Sequence, residues 1–287
     1  MPDALLLRFA QEELVYLLRA LSIGSFPGLD VHPLGNLNAD QQALALAIAD
    51  RTLRAKGAVG WDGQENRHVD PIVAGMLRDC AQPTYSVLIN LVQTGRLNAR
   101  YLYAFTRHAA IEHYLPEPGI HQFLLIPSPA DTLSHIIKLL ALDNTVQPSD
   151  LTGEISHTER LSVERWEAVR VNASTNLNKT VMVLSADLED ETARALASAL
   201  ATPKQVGHLA LWHGAPDEAK NVEPDATLTL VQGDTDTGLF LLWKGQQKAS
   251  HIEVMQETAL QAERYIEKLL RPALEVLERK DDYPATI

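Results

Sequence analysis

Apolar positions along the chain fall first at helical spacing and then at alternate positions, and the same succession returns about 120 residues later. Ile72 to Ala81 reads as a helix, Pro83 stops it, and the alternating run Tyr85–Val92 (YSVLINLV) starts a strand. In the second half Glu191 to Ala201 is helical, Pro203 stops it, and Gln205–Trp212 (QVGHLALW) follows. Further strand-like runs come after each copy: Arg100–Phe105, Ala110–Tyr114 and Ile120–Ile126, against Ala226–Val231, Leu239–Trp243 and Ser250–Met255. Each set closes on an amphipathic helix, Pro129–Leu142 and Glu257–Leu270. Duplication of one α+β unit is the simplest source of such a pattern, although two units of this common kind could arise independently. The expected organisation is an N-terminal α+β half over residues 1–142, an acidic linker over 143–160 and a C-terminal α+β half over 161–287, both halves forming one compact domain.

Outside the repeat, Phe9, Leu14, Leu17, Leu18 and Leu21 have helical spacing, and Gln11, Glu12 and Glu13 place negative charge in the first turn, which predicts a helix over Gln11–Leu21. The stretch Ile23–Leu37 carries glycines and prolines and reads as an irregular connector. Asn38 with Gln41 forms a capping-box pattern ahead of Ala43–Leu53, and Gly57 after Lys56 is a natural stop. Gly57–His68 reads as a loop or short hairpin, and Asp70–Pro71 as an N-cap with a preset first helical position. Two polar stretches stand out. Asp143–Glu159 lies between the copies as the linker, and the acidic loop His213–Asp225 is longer than its counterpart Gln93–Asn98, which marks it for function specific to one unit. Arg279–Ile287 is charged and is expected to fray.

Strand parity selects a contact face. Leu209 and Leu211 share one side while His208, Ala210 and Trp212 share the other. Leu228 and Leu230 likewise oppose Thr227 and Thr229, and Ile252 and Val254 oppose His251, Glu253 and Met255. The expectation is a sheet with one apolar side under helices and one mixed side open to solvent or a partner. His208, Trp212, Thr227, Thr229, His251 and Glu253 are the candidate protein-binding residues, beside the Gly214–Asp225 loop. Register is not visible in sequence, so the mixed sides of the strands need not coincide.

Composition narrows the partners. With 46% hydrophobic residues in 287, the chain can fill a sizeable core, and 25 Lys+Arg against 37 Asp+Glu leave a net charge of −12 that repels phosphate backbones and anionic lipid. Nucleic acid and membrane insertion are therefore not expected. No apolar run approaches the roughly 18 residues of a transmembrane helix, and Asp3 and Arg8 flank too short an apolar core for a signal peptide, so a cytoplasmic protein is expected. The single Cys80 lies in an apolar helix and reads as a core residue.

Catalytic patterns are weak. Asp234–Gly238 (DTDTG) contains the Asp-Thr-Gly of aspartic proteases, but that chemistry needs two such loops and the matching region near Arg107–Ala109 has no Asp; a hairpin turn is the ordinary reading. His108, Glu112, His113 and His121 on adjoining strand-like runs are the candidate metal set, and they define the alternative of a metal-dependent enzyme, although no zinc-signature spacing occurs. Neither a phosphate-binding Gly-rich loop nor a Gly-x-Ser-x-Gly elbow is present, since Gly24-Ser-Phe-Pro-Gly28 is out of step and follows a helix. No cofactor is expected. Of the tryptophans at 61, 166, 212 and 243, Trp212 is singled out because parity places it with His208 at the mouth of the acidic loop. A self-associating module, pairing through its open sheet face, is a further alternative.

The order of these elements resembles the EspG family, the cytosolic chaperones of type VII (ESX) secretion. The resemblance rests on the opening LLLRFAQEELVYLLRAL, the helix ending RTLRAKGAV, the Val69-Asp70-Pro71 helix start with Leu77, Ala81 and Pro83, and, in the second half, Ala201, Pro203, the Asp236-Thr237-Gly238 turn entering Leu239–Trp243 and the last helix. It implies a pseudo-two-fold α+β fold with a central antiparallel sheet flanked by helical bundles. It also implies binding without chemistry, the client being the apolar tip of a helical-hairpin secretion substrate, a small heterodimer, held by a monomer or homodimer. No short motif transfers the family's binding residues one by one. Tyr114–Gly119 (YLPEPG) and the histidine-rich strands depart from the family pattern and leave the client open.

Overall fold

The computed structural model of the protein describes residues 5–29, 32–61, 67–94, 98–142, 158–172, 176–216, 222–233, 238–245 and 248–278. The chain opens with β1 (Leu5–Ala10), which turns directly into α1 (Gln11–Ala20). Glu13 reaches back from the first turn, its carboxylate accepting the Ala10 N–H at 2.9 Å and meeting Lys56 at 2.6 Å. The predicted capping box of α2 (Ala39–Ala55) is reciprocal, with Asn38 and Gln41 exchanging backbone-to-side-chain bonds of 3.0 Å. After the hairpin of β2 (Val59–Trp61) and β3 (Arg67–Val69), Asp70 caps α3 (Pro71–Ala81) by accepting from the N–H groups of Ile72 and Val73. Strands β4 (Tyr85–Gln93), β5 (Ala99–Phe105), β6 (Ala110–Glu117) and β7 (Ile120–Ile126) follow, then α4 (Pro129–Leu140).

The second half repeats this order, with no counterpart of the β2–β3 hairpin among the described residues. Strand β8 (Glu159–Ser162) precedes α5 (Val163–Asn172), α6 (Leu177–Leu184) and α7 (Asp190–Ala201), which lead to β9 (Gln205–His213), β10 (Ala226–Gln232), β11 (Leu239–Lys244), β12 (His251–Glu257) and α8 (Ala259–Glu278). Main-chain pairing joins both halves into one ten-stranded antiparallel sheet of order β1-β7-β6-β5-β4-β9-β10-β11-β12-β8. The middle pair carries the symmetry. Strands β4 and β9 are 9 residues each and pair from Tyr85↔His213 to Gln93↔Gln205, centred on Ile89↔Leu209. A half-turn about that centre exchanges β4 with β9, and then each outer strand with its counterpart out to β1 and β8. The fold is thus the pseudo-two-fold α+β arrangement that the family resemblance implies, with a central antiparallel sheet flanked by helical bundles.

Alternation fills three cores. On one side of the sheet Val87, Ile89, Leu91, Leu209, Leu211, Leu228 and Leu241 lie under α4 and α8. On the other side the wings are covered separately, by Leu14, Leu17, Met76 and Leu77 of α1 and α3 at one end and by Trp166, Leu184, Leu196 and Ala197 of α5 to α7 at the other. The expectation of one helix-covered side and one open side is corrected here: both sides carry helices, and only the middle of the second side lies between the two wings. The sequence reading missed β8, α5 and α6, where short elements supply few buried side chains each. It also ended α8 at Leu270, yet the helix runs through Pro272 because Ala273, Leu274 and Leu277 still bury, which offsets the lost backbone bond. Residues 143–157 of the expected linker, 234–237 of the Asp-Thr-Gly turn and 279–287 of the expected frayed end lie outside the described residues, and Glu159 and Arg160 already belong to β8.

Gly207 leaves room for Leu140 of α4 against β9: a β-carbon there would stand 3.1 Å from the Leu140 Cδ2 atom. Gly207→Val should therefore overpack the interface and cost about 1–3 kcal/mol in urea unfolding. An unchanged midpoint would show that α4 is free to give way.

Candidate functional site

Between the two wings, three cross-strand rows surface on the second side of the sheet. The polar row runs Thr229, His208, Asn90, Arg100 across β10, β9, β4 and β5. On one flank lies the row Thr227, Ala210, Leu88, Leu102, and on the other Val206 opposite Val92. Val92 is 41% exposed, whereas Ile89 and Leu209 on the reverse of the same strands are completely buried. On the second side Leu88, Asn90 and His208 are half-buried and Arg100 is exposed, while Ala210 and Thr229 are buried, so the centre of the sheet is sealed on one side and partly reachable on the other.

Four of the six expected contact residues meet here. His208 Nδ1 and Thr229 Oγ1 are hydrogen-bonded at 2.9 Å, and burial, with a smaller contribution from Arg170 and an opposing one from Glu167, pushes the His208 pKa down to about 4. The imidazole is thus neutral at pH 7. His208, Thr227 and Thr229 line a hollow of about 380 Å³ whose far wall is Trp166, Glu167 and Arg170 of α5 and whose rim carries Glu223 and Lys244, an ion pair of 3.7 Å. Trp212 is half-buried and donates its indole N–H to the Val222 carbonyl at 3.1 Å, while Asp225 accepts the His213 N–H at 2.6 Å. These two bonds tie the far end of the acidic loop to the strand; residues 217–221 of the loop lie outside the described residues.

The other two are placed elsewhere. Glu253 pairs with Trp243, and both face α8 on the opposite side of the sheet, with His251. The parity within β12 was read correctly, but the pairing Leu242↔Val254 puts Ile252 and Val254, not His251 and Glu253, on the side of Thr229. His251 is exposed and bonded to Ser250, and Trp243 is covered by Lys268, whose Nζ lies 5.1 Å from the ring centre.

The candidate metal set does not converge. His113 and His121 are together on the α1 side, their Nε2 and Nδ1 atoms 2.9 Å apart; the His113 ring stacks on His121 and Phe123, and Phe26 meets it edge-on. Glu112 points through the sheet to the α4 side, where it accepts from the Tyr103 hydroxyl and lies 2.8 Å from His135 Nε2. His108 is in the β5–β6 turn near Asp79. Adjacent residues 112 and 113 of a strand must face opposite ways, so the two-sided split follows from alternation itself. Among the described residues, no group of three or more His, Cys, Asp and Glu side chains is placed to hold a metal ion. Burial pushes the His113 pKa down to about 3, and His121 is lowered for the same reason. The connector GSFPG acts as a strap: Phe26 lies on His113 and Phe123, and Gly28, at φ +78°, passes where a β-carbon would be 3.4 Å from the His113 ring.

Asn90, Leu88 and Val92 were missed by the strand-by-strand reading, but a signal existed. The offset of 120 between Tyr85–Gln93 and Gln205–His213, taken as a two-fold pairing, puts Asn90 opposite His208.

No protein-family model matches the sequence, and no curated protein matches it. Among the described residues no helix is long and apolar enough to cross a membrane. In fold, the chain is similar to the Mycobacterium tuberculosis type VII secretion system chaperone EspG5, solved in complex with a PE25–PPE41 dimer: the TM-score is 0.59 at 12% identity, over 93% of this chain and 96% of that one. The likeness is to the EspG fold and extends along nearly the whole of both chains.

Proposed function

We propose that this protein is a non-enzymatic, cytoplasmic binding protein that holds a helical-hairpin substrate of a type VII-like secretion system on the middle of its sheet. The observation that carries this reading is the one-sided exposure of the central strands, where a polar row is framed by Leu88 and Leu102 on one flank and Val92 and Val206 on the other. An apolar helical tip would desolvate Val92, Val206, Leu88 and Leu102, and Asn90 and His208 would supply the few directed hydrogen bonds that set its orientation. The likeness in fold to a secretion chaperone solved with a PE25–PPE41 dimer supports a protein partner. Residues 222–225, bonded to Trp212 and His213, serve as the lateral wall of the seat, and the two halves act together as one compact unit, monomeric or dimeric, since the seat uses strands from both.

Trp212 tests the seat. Trp212→Ala should weaken partner binding by about 2 kcal/mol, measured by titration calorimetry with the captured partner, and leave the urea midpoint nearly unchanged. Loss of fold in that variant would instead assign Trp212 to the core, and unaltered affinity would remove it from the seat.

A further inference from the structure

A second surface, away from the central strands, gathers positive charge in a chain whose net charge is −12. At the corner of α1, α2 and β3, a shallow hollow of about 420 Å³ is lined by Arg51, Arg54 and Arg67 with Tyr16, Leu46 and Ala47, and among the described residues Asp50 is the one carboxylate in its lining. Asp50 is buried and already serves Arg54 at 3.1 Å, Arg67 at 3.4 Å and the Tyr16 hydroxyl at 2.7 Å. Both of its oxygens are thus engaged. Arg51 is exposed, and among the described residues its only polar contact is a 3.4 Å bond to the Ala47 carbonyl one turn back. The hollow therefore holds more guanidinium charge than its own carboxylate can balance.

The adjoining face of α2 is apolar and uncovered. Leu44 is 60% and Ile48 48% exposed, one turn apart and in line with Arg51 on the same helix face. Trp61, 49% exposed, stands under the Arg67 guanidinium at 5.3 Å and continues the surface onto the hairpin. An apolar stripe leading into unbalanced arginines is the complement of a helix with leucine-type residues along one side and carboxylates beside them.

We propose that this corner is a docking surface for an acidic amphipathic helix of a partner protein, its apolar side on Leu44 and Ile48 and its carboxylates on Arg51 and the Arg54–Arg67 pair. The surface is independent of the central seat and stands whether or not a secretion substrate occupies that seat. The charge balance makes the prediction sharp, because the whole molecule attracts cations and only a local site would favour an anion.

The test uses the full-length protein at low ionic strength and two fluorescent heptad peptides with Leu at the inward positions, one carrying Glu at all others and one carrying Lys, followed by anisotropy. The acidic peptide is expected to bind at least 10-fold more tightly than the basic one, to weaken with added salt, and to lose at least 10-fold in affinity for Arg51→Glu and several-fold for Leu44→Ser. Both substitutions are at exposed positions, and circular dichroism checks that each variant stays folded. Preference for the basic peptide, or acidic-peptide binding unchanged in Arg51→Glu, would overturn the proposal.

Discussion

Between pH 7 and pH 5 the protein is expected to lose on the order of 4 kcal/mol of stability, without loss of any metal or ligand. The cause is a set of histidines folded into places that refuse a proton. In the unfolded chain each titrates near 6.5, whereas burial pushes His113 down to about 3 and His208 to about 4. A folded-state pKa below the unfolded one means that the unfolded chain takes up protons first as pH falls. The stabilisation is therefore complete above about pH 6.5 and is lost as pH drops from there toward the folded values. At pH 5 each of these two histidines has cost about 2 kcal/mol, and His121, lowered by burial, acts in the same direction. Urea unfolding at half-unit steps between pH 7 and pH 5 reads the slope directly. His113→Phe, which keeps a ring on Phe123, should flatten that slope by roughly half. A stability independent of pH across this window would show that the imidazoles are accessible to water in the folded state.

The largest effect of a single side chain is expected at Phe123. This fully buried ring stacks on His113 with centroids 4.6 Å apart, meets Phe9 and Phe26 at 6.1 Å each, and so ties β1, the strap and β6 to one point of β7. Phe123→Ala would leave a cavity walled by three rings and a sheet that cannot collapse into it. A loss of about 3–5 kcal/mol follows from the combined transfer and cavity terms. Phe123→Leu, which fills most of that volume, should cost about half as much. A loss below about 1 kcal/mol for the alanine variant would mean that the strap carrying Phe26 closes the gap.

These two predictions fall on residues whose chemistry was visible in the sequence and whose arrangement was not. His113 and His121 were legible as neighbours on adjoining strands, but their grouping with Glu112 ignored that consecutive residues leave a strand on opposite sides. The repeat, the cap of α2 by Asn38 and Gln41 and the start of α3 at Asp70 were legible because each depends on spacing along a few residues. The contact face depended on pairing between strands far apart in the chain. For β9 and β10 the alternation happened to coincide, so His208, Trp212, Thr227 and Thr229 came out together, while the pairing of β11 with β12 turned His251 and Glu253 away. The arginine corner was invisible for a similar reason: Arg51 and Arg54 belong to α2, Arg67 to β3 and Tyr16 to α1, and only packing gathers them.

The central claim is that the exposed middle of the sheet holds a helical partner, and capture from the native lysate tests it most directly when wild type and variants are compared. Tagged protein, Val92→Asp and Arg51→Glu would be purified in parallel, and the mass of each intact complex determined. The account predicts a helical partner at defined stoichiometry on the wild type, retained by Arg51→Glu and lost from a folded Val92→Asp, where a charge interrupts the apolar row beside Asn90 and His208. The same partner recovered equally with all three proteins would place its seat elsewhere on the molecule and contradict the account.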